Sequence, residues 1–275
     1  MVVQHNITAM NANRQLGITT GIQSKSSEKL SSGYKINRAA DDAAGLAMSE
    51  KMRRQIKGLT QASNNAQDGI SAVQTAEGAL HEVHDMLQRM DELATKAAND
   101  TLTSDDRAYI QQEVNALTSE IDRTASATKF NEQNLLDGTF TSKNLQVGTD
   151  NVGTDLIQVS INKMDSATIL GSATVSVGTT SGDTARASIT TIKNAIISVS
   201  SQRADLGAIQ NRLEHTIKNL DNVNENTTAA ESQIRDTDMA AEMVKYSNNN
   251  ILAQAGQSML AQANQTNQGV LSLLG

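Results

Sequence analysis

Few residues in this chain have the type and spacing to do chemistry. His81 and His84 lie three apart beside Glu77 and Asp85, the side-chain set a divalent cation uses when a third ligand closes the site. No third ligand stands at useful spacing, and a charged helix face offers such pairs routinely. Asp41-Asp42 could act as an acid–base pair, but adjacent side chains diverge, and their place ahead of Ala43-Ala44-Gly45-Leu46 suits a helix cap. His5 and His215 are isolated, and no Ser–His–Asp order, nucleotide loop or GxSxG run occurs. Cysteine is absent from the 275 residues, which removes thiol nucleophiles, thiolate ligands and disulfides together. The expectation is a non-enzymatic protein with no catalytic residue, no cofactor and no metal.

The elements around these residues carry more information. From Met48 to Ala97 an apolar or small residue recurs at 48, 52, 56, 59, 62, 66, 70, 73, 76, 80, 83, 87, 90, 94 and 97. A second stripe runs from Ile192 through Ile196, Val199, Leu206, Ile209, Leu213, Ile217, Leu220 and Val223 to Ala230 and Ile234, interrupted at Arg203 and Thr227. Both step by about 3.5 residues, the period of helices packed lengthwise. A shorter helix is expected from Ser104 to about Thr128. Leu145–Gly148 and Leu156–Ile161 alternate and carry β-branched residues between Gly, Asn and Asp turns. A second strand pair is considered at Ile169 to Val177, a loop at 178–185, and a weak point in the last helical run at 224–238. The fold class is therefore mainly α: an elongated rod of long antiparallel helices with coiled-coil packing, plus a small β-hairpin region mid-chain.

Composition agrees. Two Phe, three Tyr and no Trp provide no aromatic centre for a globule, and Pro is absent. The formal charge of −7 argues against nucleic acid and anionic membrane as partners. No apolar run approaches the ~20 residues of a membrane span, and the first residues lack the basic-then-apolar order of a secretory signal peptide. Each end has a thin apolar stripe: Val3, Ile7, Met10 and Leu16 at the start, and Met243, Ile251, Leu252, Ala255, Met259 and Leu260 at the finish. Helices this polar are marginal alone, so these segments are expected to order by packing and to drive self-association. A patch that pairs with a different patch on a copy builds rings or open helical filaments.

Specific motifs then appear. Leu30-Ser31-Ser32-Gly33-Tyr34-Lys35-Ile36-Asn37-Arg38-Ala39-Ala40-Asp41-Asp42-Ala43-Ala44-Gly45-Leu46 resembles the N-terminal signature of bacterial flagellin. Asn65-Ala66-Gln67-Asp68-Gly69-Ile70-Ser71 and Gln74-Thr75-Ala76-Glu77-Gly78-Ala79-Leu80 continue it. Leu206-Gly207-Ala208-Ile209-Gln210-Asn211-Arg212-Leu213-Glu214 and Leu260-Ala261-Gln262-Ala263-Asn264-Gln265 resemble the C-terminal signature. The resemblance implies a filament subunit of short form, lacking outer variable domains. An inner coiled-coil domain would come from 1–42 with 234–275. A rod domain would cover 43–233, with helices at about 43–98, 104–128 and 188–233 and a β region at about 139–180.

It also implies export through the flagellar secretion channel and partners in the export apparatus, a flagellin chaperone, the filament cap and the hook-junction proteins. Vertebrate Toll-like receptor 5 would bind at Gln88, Arg89, Leu93 and Glu113. Met90-Asp91 departs from the family's common Val-Arg, Lys35 replaces a usual Arg, and Asn267 stands where many members have Pro, which leaves the last turn free to be helical. A hook–filament junction protein is the runner-up.

Overall fold

The computed structural model describes residues 6–150, 152–171, 175–178 and 183–272. Among these, six α-helices and four short strands follow in the order α1 (Ile7–Ser32), α2 (Ala43–Ala97), α3 (Ser104–Ala127), β1 (Lys129–Phe130), β2 (Gln133–Asn134), β3 (Lys143–Gln146), β4 (Leu156–Val159), α4 (Ser166–Ile169), α5 (Asp183–Arg235) and α6 (Met239–Ser272). They divide into two compact units, Lys57–Asn224 and Met1–Ile56 with Glu225–Gly275. Helices α2 and α5 contribute residues to both.

The middle unit is built on the expected stripe of α2. Every stripe position from Leu59 to Ala97 is buried, and Leu80, Val83, Leu87 and Met90 are completely so. Helix α5 lies antiparallel to α2, as the Glu77–Arg203 pair at 3.2 Å and the Ser63–Asp221 bond at 3.4 Å require. Its seam is a stricter heptad than the sequence stripe: Ala185, Ser188, Ile192, Ala195, Val199, Gln202, Leu206, Leu213 and Leu220. Ile196, Ile209 and Ile217 flank it half-buried, and Val223 is exposed. The seam tolerates Gln202 because both ends of its amide are bonded, donating to the Ser160 carbonyl at 3.2 Å and accepting from the Asn162 N–H at 3.3 Å.

Helix α3 turns back against α2. A capping box between Thr103 and Asp106 opens it. Arg107, 5 % exposed, donates to the carbonyls of Ala97 at 3.2 Å and Asn99 at 3.1 Å. The guanidinium thus satisfies orphan carbonyls at the negative end of α2.

The expected hairpin is present, with β3 and β4 antiparallel in the register Leu145↔Ile157. Its inner face, Leu145, Val147 and Ile157, packs on Ala66, Ile70 and Leu213. Gly69 in α2 is where that approach is closest, since a Cβ there would overlap the Leu145 Cδ1. Strands β1 and β2 form a second hairpin that the sequence did not announce. Its turn puts Asn131 at φ 48° and Glu132 at φ 63° with no glycine to mark it.

The strand pair considered at Ile169 to Val177 does not form in its described part. Residues 166–169 are helix α4, capped by the Asp165 carboxylate on the Thr168 N–H, and 175–178 join no ladder; 172–174 lie outside the described residues. Helix α5 starts at Asp183 rather than Ser188, because Asp183 accepts from Arg186 in the first turn at 2.8 Å and Ala185 is fully buried.

In the terminal unit α1 packs along α6. Gly33 ends α1 with φ 77° and an N–H to the Lys29 carbonyl. The weak point in the final helical run narrows to residues 236–238. There Thr237 N–H bonds the Gly33 carbonyl at 2.9 Å and Lys35 N–H bonds the Arg235 carbonyl at 2.6 Å. The Arg235 guanidinium lies 4.7 Å from the Tyr34 ring centre and 2.8 Å from Glu50. Asp42 caps α2 by accepting from the Gly45 N–H at 3.0 Å, whereas Asp41 does not cap it: its carboxylate accepts from the Asn37 and Arg38 N–H groups of the preceding loop, at 3.3 and 3.0 Å. Asn267 lies within α6, so the backbone stays helical there.

The depth of the middle core sets a first prediction. Leu87→Ala should lower the stability of the middle unit by about 2–5 kcal/mol. Leu16→Ala, at a half-buried position of α1, should cost well under half as much. Urea titrations of both variants check this; equal losses would contradict the contrast between the two cores.

Candidate functional site

The α1–α6 pair is unusual in which faces it turns inward. Its inner rows follow a heptad on each helix: Ala9, Ala12, Leu16, Thr19, Gln23, Ser26 and Leu30 against Glu242, Tyr246, Asn249, Ala253, Gly256, Leu260 and Ala263. These rows are mostly small or polar. Ser26 donates to Glu242 at 2.6 Å, Asn6 Nδ2 donates to the Ala263 carbonyl at 2.9 Å, and Leu16 fills the space left by Gly256. Among the described residues only Ile36 and Ala253 are buried apolar side chains of this unit.

The large apolar side chains face out instead. Ile7, Met10, Ile18 and Ile22 on α1 and Met243, Val244, Ile251, Leu252 and Met259 on α6 are each between 46 % and 66 % exposed. By helical period, Val244, Ile251, Ala255 and Met259 share one face of α6, well away from its inner row. Of the large apolar side chains left exposed among the described residues, all but Tyr109, Val152, Ile197 and Val223 belong to this unit. Such concentration exceeds the single scattered apolar side chains of an ordinary protein surface.

The sequence candidates divide accordingly. Ile7, Met10, Met243, Ile251, Leu252, Ala255 and Met259 are outward, whereas Leu16 and Leu260 sit half-buried on the inner seam. Val3 lies outside the described residues. Ile18, Ile22 and Val244 were missed; the heptad of the inner row, once fixed, would have pointed to the opposite face.

Glu242 is the one charge buried in the pair among the described residues, 6 % exposed. The hydrogen bond from the Ser26 hydroxyl holds its carboxyl below the ordinary glutamate value against the cost of burial, with help from Lys245.

The second set of candidates lies in the middle unit. Arg89 donates through Nε and Nη2 to Glu113 at 3.0 and 2.9 Å, and through Nη1 to Glu92 at 3.0 Å. Those carboxylates, Glu113 foremost, raise its affinity for the proton further. A groove of about 390 Å³ runs beside the pair, lined by Lys96, Leu102, Asp106, Tyr109 and Ile110 among others. Leu93 is 3 % exposed and belongs to the core, so it floors the groove rather than projecting from it. Tyr109, 70 % exposed, is the apolar side chain that stands out there. Gln88 faces solvent and contacts His84 at 2.9 Å. His81 pairs with Asp85 at 3.4 Å, and among the described residues no group of three metal-ligating side chains converges.

Known proteins resemble this chain over most of its length. The profile of the bacterial flagellin N-terminal helical region matches residues 3–141, and that of the bacterial flagellin C-terminal helical region matches 189–274. Flagellin of Halalkalibacterium halodurans is 54 % identical over 274 residues, covering 100 % of both chains. Flagellin of Bacillus subtilis is 50 % identical over 310 residues, again covering 100 % of both. The crystal structure of Bacillus cereus flagellin shares 30 % identity across 57 % of this chain and 88 % of that one, with a TM-score of 0.49.

Glu242 gives a pH prediction with a definite sign. Its folded pKa is depressed, so its contribution is present above the unfolded value and is lost as pH falls through the folded one. Glu242→Gln should melt below the native chain at neutral pH. The gap should close on acidification through about pH 4 and below. Thermal melts by far-ultraviolet circular dichroism across that range decide it; a gap that persists in acid would show that the carboxylate is not the cause.

Proposed function

This chain belongs to the bacterial flagellin family, structural subunits of the extracellular flagellar filament, and we propose that copies join through the outward faces of α1 and α6. The observation that carries this reading is the inverted burial of the terminal pair. Val244, Ile251, Leu252 and Met259 on α6 and Ile7, Met10, Ile18 and Ile22 on α1 stay in water in the single chain. At about 25 cal/mol per Å² of apolar surface removed, burying them against neighbouring copies supplies a large driving force. On this reading 1–42 and 234–275 are the part that assembles, and the stretch of 43–233 with a core of its own is the middle unit, Lys57–Asn224.

The composition suits a chain that is exported unfolded. With no Pro and no Cys, refolding after passage through a channel meets neither prolyl isomerisation nor disulfide exchange. Threading through the flagellar secretion channel, with a chaperone before it and the cap and hook-junction proteins beyond it, is proposed on the family resemblance. No helix among the described residues is long and apolar enough to cross a membrane.

The groove at Arg89 is proposed as the surface for Toll-like receptor 5. The half-exposed guanidinium paired with Glu113, and Tyr109 beside it, are the residue types that anchor interfaces. Gln88 offers a further polar contact, and Leu93 supports the groove from beneath.

Assembly is tested by seeding. Ile251→Asp with Leu252→Asp should leave the helical content of the monomer unchanged, because both side chains are exposed, at 61 % and 57 %, and should abolish elongation of filament seeds. Filaments of normal length under the electron microscope would sink the assignment of this face. For the receptor, Arg89→Ala and Tyr109→Ala should each weaken binding of monomer to the ectodomain by about thirtyfold, roughly 2 kcal/mol. Leu93→Ala is a poor probe, since it opens a cavity in the core. Unchanged affinity in both surface variants removes the groove from consideration.

A further inference from the structure

Met10, Met48, Met239, Met243 and Met259 are between 47 % and 66 % exposed, and all lie in the terminal unit. Met90 and Met164, in the middle unit, are 0 % and 3 % exposed. The inner rows that hold α1 to α6 contain no methionine. The chain also has no cysteine, so no thiol competes for a soft oxidant, and the thioethers are the most readily oxidised groups it offers.

We propose that Met10, Met243 and Met259 form a reversible oxidation site through which peroxides switch off assembly while leaving the monomer folded. This rests on the reading that copies join through the outward faces of α1 and α6. In the step, a sulfur lone pair attacks one oxygen of hydrogen peroxide and the O–O bond breaks. The S–O bond of the sulfoxide forms, and after proton transfer the other oxygen leaves as water. Sulfur is oxidised by two electrons and the peroxide is reduced by two. Reduction by methionine sulfoxide reductases consumes two thiols, which become a disulfide, and returns the thioether with release of water.

The consequences differ by face. A sulfoxide at Met10, Met243 or Met259 still meets water in the free chain and disturbs no contact of the inner seam. On joining a neighbour the same S–O dipole must leave water for an apolar surface, at the cost of an unpaired buried polar group. An unbranched thioether fits an interface that must accept several neighbours, and it carries this sensitivity with it. Leucine at those positions would be inert to peroxide.

The experiment uses full-length monomer, hydrogen peroxide and sonicated fragments of its own filaments as seeds. Peptide mass spectrometry should find sulfoxide at Met10, Met243 and Met259 well before Met90 and Met164. Circular dichroism should show no loss of helix. Elongation should fall by about tenfold or more, and sulfoxide reductases with dithiothreitol should restore it. In a Met10→Leu, Met243→Leu, Met259→Leu variant, the ratio of treated to untreated elongation should stay near one, each protein serving as its own reference. The proposal is overturned if oxidised monomer elongates as fast as untreated, if the buried methionines oxidise first, if reduction restores nothing, or if the triple variant loses as much as the native chain. Failure of untreated monomer to elongate at all is a different result: it removes the assembly reading and this proposal with it.

Discussion

One seam carries the molecule. Along α2 from Leu59 to Ala97 an apolar side chain is buried at every step of a 3–4 spacing, against α5, α3 and the β3–β4 hairpin. Each fully buried Leu, Ile or Val is worth about 1.5–3 kcal/mol relative to an exposed one. The middle unit therefore has a deep core although it is nowhere thicker than a few helices. Gln202 and Arg107 enter that core with hydrogen bonds to backbone groups.

The terminal unit follows the opposite rule, and the contrast is chemical. An α-helix offers one best apolar stripe. In α2 that stripe is spent on the fold. In α1 and α6 it faces out, and the intramolecular contact is left to Ser26, Glu242, Asn249, Gly256 and similar residues. A pair held this way buries little apolar area and leaves its larger apolar side chains in water. The clasp at the two helix breaks, where residues 33–35 bond residues 235 and 237, orders the point from which both helices leave.

Oxidation chemistry follows from the same division. The large apolar side chains that the single chain leaves in water are the ones solvent-borne reagents can reach, and in a chain without thiols the thioethers are the softest of them. The buried Met90 and Met164 are protected by the core that makes the middle unit stable.

Much of the architecture was written in the sequence. The 3.5-residue period fixed the α2 stripe residue by residue from Leu59 onward, because burial of a long helix leaves a periodic trace that no local preference can blur. The strand pair was legible from alternation at Leu145–Gly148 and Leu156–Ile161, although β3 starts two residues earlier and both strands end two residues sooner. The cap at Asp42 was legible from its place ahead of an Ala-rich run, while Asp41 bonds back into the loop. The Asn131–Glu132 turn was not, since its left-handed residues are not glycines, and neither was α4, one turn of helix inside a β-branched segment. The seam of α5 shifted to include Gln202 because a buried amide looks polar until its two partners are found, and those partners, Ser160 and Asn162, are some forty residues away. Which residues of α1 and α6 face inward was likewise decided only by tertiary structure. Composition announces a thin apolar stripe on each helix; it cannot say that the helices meet by faces of mostly small and polar residues, because that choice depends on long-range pairs such as Ser26–Glu242 and Leu16–Gly256, which no local pattern encodes.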